Sequence, residues 1–146
     1  MNIRSVVKLL GYLTLVLGAM MSFSVVVGLI YGEKDIFALL KAMAVCAAAG
    51  AAMVAAGGKT KARAMTRKES ILFVSLGWFV GAFFCALPFV FTTESPGFQG
   101  LSDAYFEAMS GLTTTGASIL KDVEAVSKCL LFWRSFTQWI GGMGII

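Results

Sequence analysis

Three long apolar runs dominate the chain, and each is closed by a short polar link. The first covers about residues 6–30, with only Lys8 interrupting it. After "YGEKD" the second covers about 36–57, and after "KTKARAMTRKE" the third covers about 70–91. A run of eighteen or more apolar residues is long enough to cross a bilayer as a helix, and all three qualify. Beyond residue 91 the pattern changes. A turn-rich "TTESPGFQG" leads into a helical segment over 102–111, with Ser102 or Asp103 placed to cap it. That segment spans about 15 Å, or half a bilayer. The hydroxyl-rich turn over 113–118 follows, then "ILKDVEAVSK", then a last apolar run over 129–146. The pattern predicts an all-α integral membrane protein. A transmembrane helix pair fills 1–58 and a basic loop 59–69. One membrane–loop–membrane unit fills 70–146, with helix 70–91, half-helix 102–111, turn 113–118 and last helix 129–146.

Composition agrees with a membrane solvent. Hydrophobic residues make up 58% of the 146 and charged residues only 14%, where soluble domains carry about 25% charge. The first run exceeds the 7–15 residues of a signal-peptide core, and no small-residue cleavage site follows it before "GEKD", so it reads as a retained span. The net charge of +4 is concentrated in Lys59, Lys61, Arg63, Arg67 and Lys68. A basic loop between spans marks the cytoplasmic side and does not imply nucleic acid. Arg4 and Lys8 fall on that same side. The opposite side holds Glu33, Asp35, Glu94, Asp103, Glu107, Asp122 and Glu124 against Lys34, Lys121 and Lys128. Alternating spans then put the N-terminus in the cytoplasm and both flanks of the 113–118 turn outside. The half-helix must therefore dip in from outside and return. There is no histidine, and Cys46, Cys85 and Cys129 show neither a metal spacing nor a disulfide framework.

The turn "TTTGAS" carries the chemistry. Non-helical backbone at membrane depth persists only when buried in protein or lining a wet cavity. Threonine hydroxyls and backbone carbonyls are neutral oxygen donors, and Gly116 can take a positive φ that turns successive carbonyls to one axis. The half-helix aims its partially negative C-terminus at the same point. Rings of such oxygens replace the hydration shell of a monovalent cation. Calcium or magnesium would call for carboxylates, and the turn has none. Two other readings of the turn are an exposed polar loop and a phosphate loop. The stretch fits G-x4-G-x-[ST], but Ala117 stands where the phosphate-binding lysine belongs, and no strand precedes it.

"SGLTTTGAS", preceded by "SDAYFEAM" and followed by "FWRSFTQWIGGMGII", resembles the first pore repeat of Trk-type potassium transporters, in the Trk/Ktr/HKT superfamily. The resemblance covers the whole chain. Its first two spans resemble the extra N-terminal helix pair of the bacterial Trk subtype, and 69–146 the first membrane–pore–membrane unit. The resemblance implies that Gly116 is the constant glycine of a selectivity filter. It implies that the carbonyls of Thr114 and Thr115 coordinate potassium and that Thr113 lies at the filter's inner end. It further implies four such repeats in one longer chain, so this sequence, with one, is either a fragment supplying one filter loop or a unit of which several copies must assemble. The last run lacks an interfacial anchor, which favours the fragment. Potassium would be the transported ligand, passed inward across a bacterial inner membrane, with no cofactor and no enzyme activity. A homodimer of full-length chains, a cytosolic nucleotide-binding regulatory subunit and membrane lipid are the implied partners.

Several residues keep two readings. Asp103 and Glu107 are cation-attracting groups at the outer mouth, or they compensate the half-helix dipole. Arg134 partners an acid or a carbonyl near the turn, or snorkels to the interface. The glycines of "GGMG", and the GxxxG formed by Gly77 and Gly81, suit close helix packing, with a bend as the alternative for the first. The rival to transport is a small membrane protein whose re-entrant segment serves packing alone.

Overall fold

The computed structural model describes residues 3–58, 66–93 and 97–144. Its five helices are α1 (Ile3–Tyr31), α2 (Ile36–Gly57), α3 (Arg67–Phe91), α4 (Leu101–Leu112) and α5 (Lys128–Gly142). No strand occurs among the described residues. α1, α2 and α3 are long and apolar enough to cross a membrane. Exposed residues such as Val26, Leu29, Phe37, Ile71 and Phe79 give them the apolar outer surface that lipid requires.

α1 and α2 form a tight antiparallel pair. The alanine- and glycine-rich face of α2 lets the two backbones approach closely. A Cβ added at Gly11 would lie 2.8 Å from the Gly50 carbonyl oxygen, and one at Gly18 would lie 2.8 Å from the Cys46 Cβ. Without a hydrophobic drive between helices in lipid, such dispersion contacts hold a pair together. At Gly81, the second glycine of the predicted GxxxG of α3, a Cβ would meet Leu17 and Leu112 at ordinary distances of 3.7 and 3.8 Å. The crossing of α1 and α2 is tighter than the approach at Gly81.

The helix ends are fixed by recognisable devices. α2 stops at Gly57, and Gly58 leaves the helix at φ +61°. The Lys8 ammonium donates to the Gly58 carbonyl at 3.1 Å, closing that end of the pair. α3 begins three residues before the predicted 70 because Thr66 and Glu69 form a capping box. The Thr66 N–H donates to Glu69 at 2.9 Å and the Glu69 N–H to the Thr66 hydroxyl at 3.4 Å. Arg67, Lys68 and Glu69, assigned from sequence to the basic loop, are thus helical. The rest of that loop, 59–65, lies outside the described residues, as does Glu94. At the other end of α3, the Thr92 hydroxyl donates to Asp35 at 2.7 Å, tying the close of α3 to the α1–α2 link.

The core sits where α1, α2, α3, α4 and α5 converge, around Met21, Leu39, Cys46, Cys85, Phe89, Leu130, Trp133 and Ile140. Trp133 is fully buried, and its indole N–H donates to the Cys85 carbonyl at 2.9 Å, so α5 is pinned to α3 by a large apolar group whose polar atom is satisfied.

Candidate functional site: the re-entrant turn

α4 is a 12-residue helix, about 18 Å long, and crosses only part of a bilayer. It extends one residue beyond the predicted segment at each end. Its N-cap is Gly100, in extended backbone, and not Ser102 or Asp103. Asp103 is instead the third helical residue, and its carboxylate reaches back to accept the Gln99 N–H at 3.0 Å. An acid in the first turn complements the helix dipole, and here it also ties down the residue before the cap.

After α4 the chain reverses and climbs beside the helix it has just left. A polar stripe at i, i+4 and i+7, made of Asp103, Glu107 and Ser110, is the rail for this return. Ser110 donates its hydroxyl to the Ala117 carbonyl at 2.6 Å. One turn higher, Glu107 accepts from the Ser118 hydroxyl at 2.9 Å and the Ile119 N–H at 3.1 Å. Higher still, Leu120 closes on Gly97 and lines a hollow with Asp103 and Asp122. α5 then starts at the same end of the bundle as α4 and runs the same way, so the two C-termini meet. A Cβ at Gly141 would stand 1.9 Å from the Leu112 carbonyl oxygen, and one at Gly111 2.4 Å from the Thr137 hydroxyl. Of the "GGMG" glycines, Gly141 therefore serves close packing against the end of α4. α5 ends at Gly142, short of the predicted 146. Gly144 has left the helix at φ +66°, and residues 145 and 146 lie outside the described set.

Within the turn, the backbone is sorted by polarity. The N–H groups of Thr113 and Thr114 donate to the carbonyls of Met109 and Gly111, and those of Thr115 and Gly116 to the carbonyl of Ser110. Every N–H from 113 to 116 is thereby turned back onto the end of α4. The carbonyls of the same four residues accept no hydrogen bond among the described residues. Two positive-φ residues produce this arrangement, Thr114 at +56° and Gly116 at +76°. Gly116 was expected to adopt such an angle. Nothing lies within 4 Å of where its side chain would start, so the angle demands glycine and the space does not. Thr114 was not expected to: a β-branched residue there is a genuine outlier, held at a cost of about 1–3 kcal/mol by its surroundings.

The hydroxyls are ordered too. Thr113 donates to the Met109 carbonyl at 2.8 Å and lies 2.8 Å from the Thr115 hydroxyl. With one proton already directed to Met109, Thr113 accepts and Thr115 donates. Residues 113–118 are all exposed, whereas Gly111 and Leu112 just before them are buried.

Glu107 is only 2% exposed. Besides the return segment it binds the Arg134 guanidinium of α5 through Oε1 and Nε. One carboxylate thus joins α4, the return segment and α5, and its contacts are those of an anchor. Arg134 takes the first of its two predicted roles, pairing with an acid near the turn. Sequence reasoning missed Ser110, Ser118 and Thr137 as supports. The i, i+4, i+7 spacing of Asp103, Glu107 and Ser110 was the signal for Ser110; Ser118 and Thr137 left none.

Three long apolar helices followed by a half-length helix and a tied-back turn of exposed carbonyls give the architecture of a helical membrane protein with a re-entrant segment. The family model for TrkH, described as a cation transport protein, matches residues 35–146. The chain belongs to the TrkH family, whose members are membrane transporters and not enzymes. It is 37% identical over its full length to the Trk system potassium uptake protein TrkH of Escherichia coli K12, covering 30% of that protein. The Halomonas elongata TrkH is 31% identical over 148 residues, again with 30% of its length covered. The crystal structure of the potassium transporter TrkH from Vibrio parahaemolyticus superposes with a TM-score of 0.89 over 99% of this chain and 30% of that one, at 31% identity. The chain thus spans about 30% of the length of these relatives.

Proposed function

We propose that this chain supplies one of four selectivity-filter loops in a potassium uptake protein of a bacterial inner membrane. The carrying observation is the row of carbonyls at Thr113, Thr114, Thr115 and Gly116, exposed and without donors among the described residues while their N–H groups are all engaged. The carbonyls of Thr114 and Thr115 coordinate the ion, Gly116 gives the turn its angle, and Thr113 closes its inner end. Neutral oxygens in this density bind a monovalent cation and still release it. The potassium in this reading comes from the relatives, which are potassium uptake proteins by name. Three further repeats complete the ring. A packing-only role does not call for two positive-φ residues, one of them a threonine, that turn every N–H of 113–116 onto α4.

The helix pair within 1–58 is the accessory domain and 70–146 the pore unit. The end bearing Arg4, Lys8, Arg67 and Lys68 faces the cytoplasm, and the end bearing Glu33, Asp35 and the start of α4 faces outside. Asp103 rims the outer hollow and adds negative potential there. Glu107 acts through the contacts it holds. The complete protein dimerises in lipid and receives a cytosolic nucleotide-binding regulatory subunit.

The test is Gly116→Ser in the longer potassium uptake protein that contains this chain, expressed in a strain deficient in potassium uptake. The open space around Gly116 spares the fold, so the substitution acts on the backbone angle. Forcing an L-residue into the left-handed region costs about 1–2 kcal/mol, which translates to about a tenfold loss of potassium uptake or of discrimination against sodium. Wild-type uptake and selectivity in this variant would overturn the filter assignment.

A further inference from the structure

The link between α1 and α2 was read from sequence as a polar connector whose acids report topology. Its geometry is more specific. α1 closes in a Schellman arrangement: Gly32 takes φ +66°, and the Glu33 N–H donates to the Gly28 carbonyl at 3.1 Å. This fixes the direction in which the Glu33 side chain leaves the backbone. Its two carboxylate oxygens then accept the first two N–H groups of α5, Lys128 at 2.6 Å and Cys129 at 2.9 Å. These residues are 95 and 96 positions away in the chain. The N-cap residue of α5, Ser127, makes no side-chain capping bond. The cap of this helix is thus supplied by another domain, and a carboxylate at that end also complements the helix dipole.

Two independent contacts run along the same seam. A Cβ at Gly28 would stand 3.2 Å from the Cys129 Cβ, so α1 and the first turn of α5 touch closely just where Glu33 grips. Further along, the Phe23 and Phe136 rings pack with centroids 5.6 Å apart. Asp35, from the same link, holds the end of α3 through Thr92.

We propose that Glu33 is a positioning residue for the filter, acting through α5. α5 is a strut of 15 residues. Glu33 holds its first turn, the Arg134–Glu107 pair joins its middle to α4 and the return segment, and Gly141 abuts the Leu112 carbonyl at the base of the turn. The N-terminal helix pair thereby acts as a brace that sets where the strut, and hence the turn, stands. This inference rests on the reading of 113–116 as a filter loop.

The experiment uses the full-length uptake protein in the deficient strain, with potassium uptake and competition by sodium both normalised to the amount of protein in the membrane. Glu33→Ala is compared with Glu33→Ala/Ser127→Asp, which gives α5 a local carboxylate cap but no tie to α1. The expected result is about a fivefold loss of discrimination against sodium in Glu33→Ala, the factor carried by a lost cap. The double variant should regain abundance and keep the loss. Unchanged discrimination in Glu33→Ala, or full recovery in the double variant, overturns the brace. If Glu33→Ala does not accumulate, Glu33→Gln, which keeps one acceptor oxygen, is measured alone and with Ser127→Asp, and the same outcomes decide. Gly116→Ser in parallel separates the two ideas. If its selectivity is normal, the filter reading fails; if it is impaired while the Glu33 variants are normal, only the brace fails.

Discussion

Gly141→Ala, made in the longer potassium uptake protein proposed above to contain this chain, should strip the re-entrant unit of its support and remove uptake, with little protein reaching the membrane in folded form. The added methyl would sit 1.9 Å from the Leu112 carbonyl oxygen, 2.6 Å from its carbonyl carbon and 3.0 Å from its Cα. All three are backbone atoms in the last turn of α4, so no side chain can swing away. Either α5 or α4 must shift, and Trp133, bonded to Cys85, and Arg134, paired with Glu107, both resist. Overpacking usually costs 1–3 kcal/mol, and a backbone clash this close belongs at about 3 kcal/mol or above. Gly142→Ala is the control. Its methyl would meet only the Thr114 Cγ2 at 3.8 Å, an ordinary contact, and should leave abundance near wild type. Measuring the two side by side, by membrane abundance and potassium uptake, separates helix propensity from the clash. Alanine is the better helix former at both positions, so equal behaviour of the two variants would refute the close approach.

Glu107→Ala should be nearly as damaging, by a different route. It leaves the Arg134 guanidinium without its carboxylate and removes the acceptor of the Ser118 hydroxyl and the Ile119 N–H. Breaking one side of a buried pair costs 3–5 kcal/mol. Arg134 retains 18% side-chain exposure, so water recovers part of that and about 3 kcal/mol is expected. The consequence is local as well as global, because the return segment loses its grip on α4 one turn above Ala117. Removing both charges with Glu107→Gln/Arg134→Met should be milder than Glu107→Ala, since the amide still accepts from Ile119 and no charge is stranded. Thermal stability in detergent for Glu107→Gln, Arg134→Met and the double variant reads the coupling directly. Additive losses would mean that the pair does not act as a unit.

Hydropathy alone located α1, α2 and α3, because in lipid length and apolarity are nearly the whole specification of a span. The re-entrant character of the segment around α4 was legible for a similar reason: about ten helical residues cannot cross. The glycine of the threonine–glycine turn was legible as a positive-φ position, and Gly116 takes φ +76°. What stayed hidden is what depends on partners far along the chain. Gly141 reads as a packing glycine in "GGMG", but nothing local says that it faces the Leu112 carbonyl. Gly77 and Gly81 form a motif, yet the tight crossing uses Gly11, Gly18 and Gly50, which carry no such spacing as a set. Glu33 and Asp35 looked like charges of a short link, because a hydrogen bond across 95 residues leaves no periodic trace. The positive φ of Thr114 was equally silent, since threonine resists that angle and only the surrounding bonds impose it.

The one-sided use of peptide groups between Thr113 and Gly116 also decides what such a surface turns away. An anion is held in proteins by converging N–H groups. Here all four of those groups point back into the helix end. Chloride or phosphate arriving at this stretch would find the negative ends of peptide dipoles and no backbone donor to replace lost water. In a filter built from such turns, the sign of the charge would be chosen before size or hydration distinguishes one alkali ion from another.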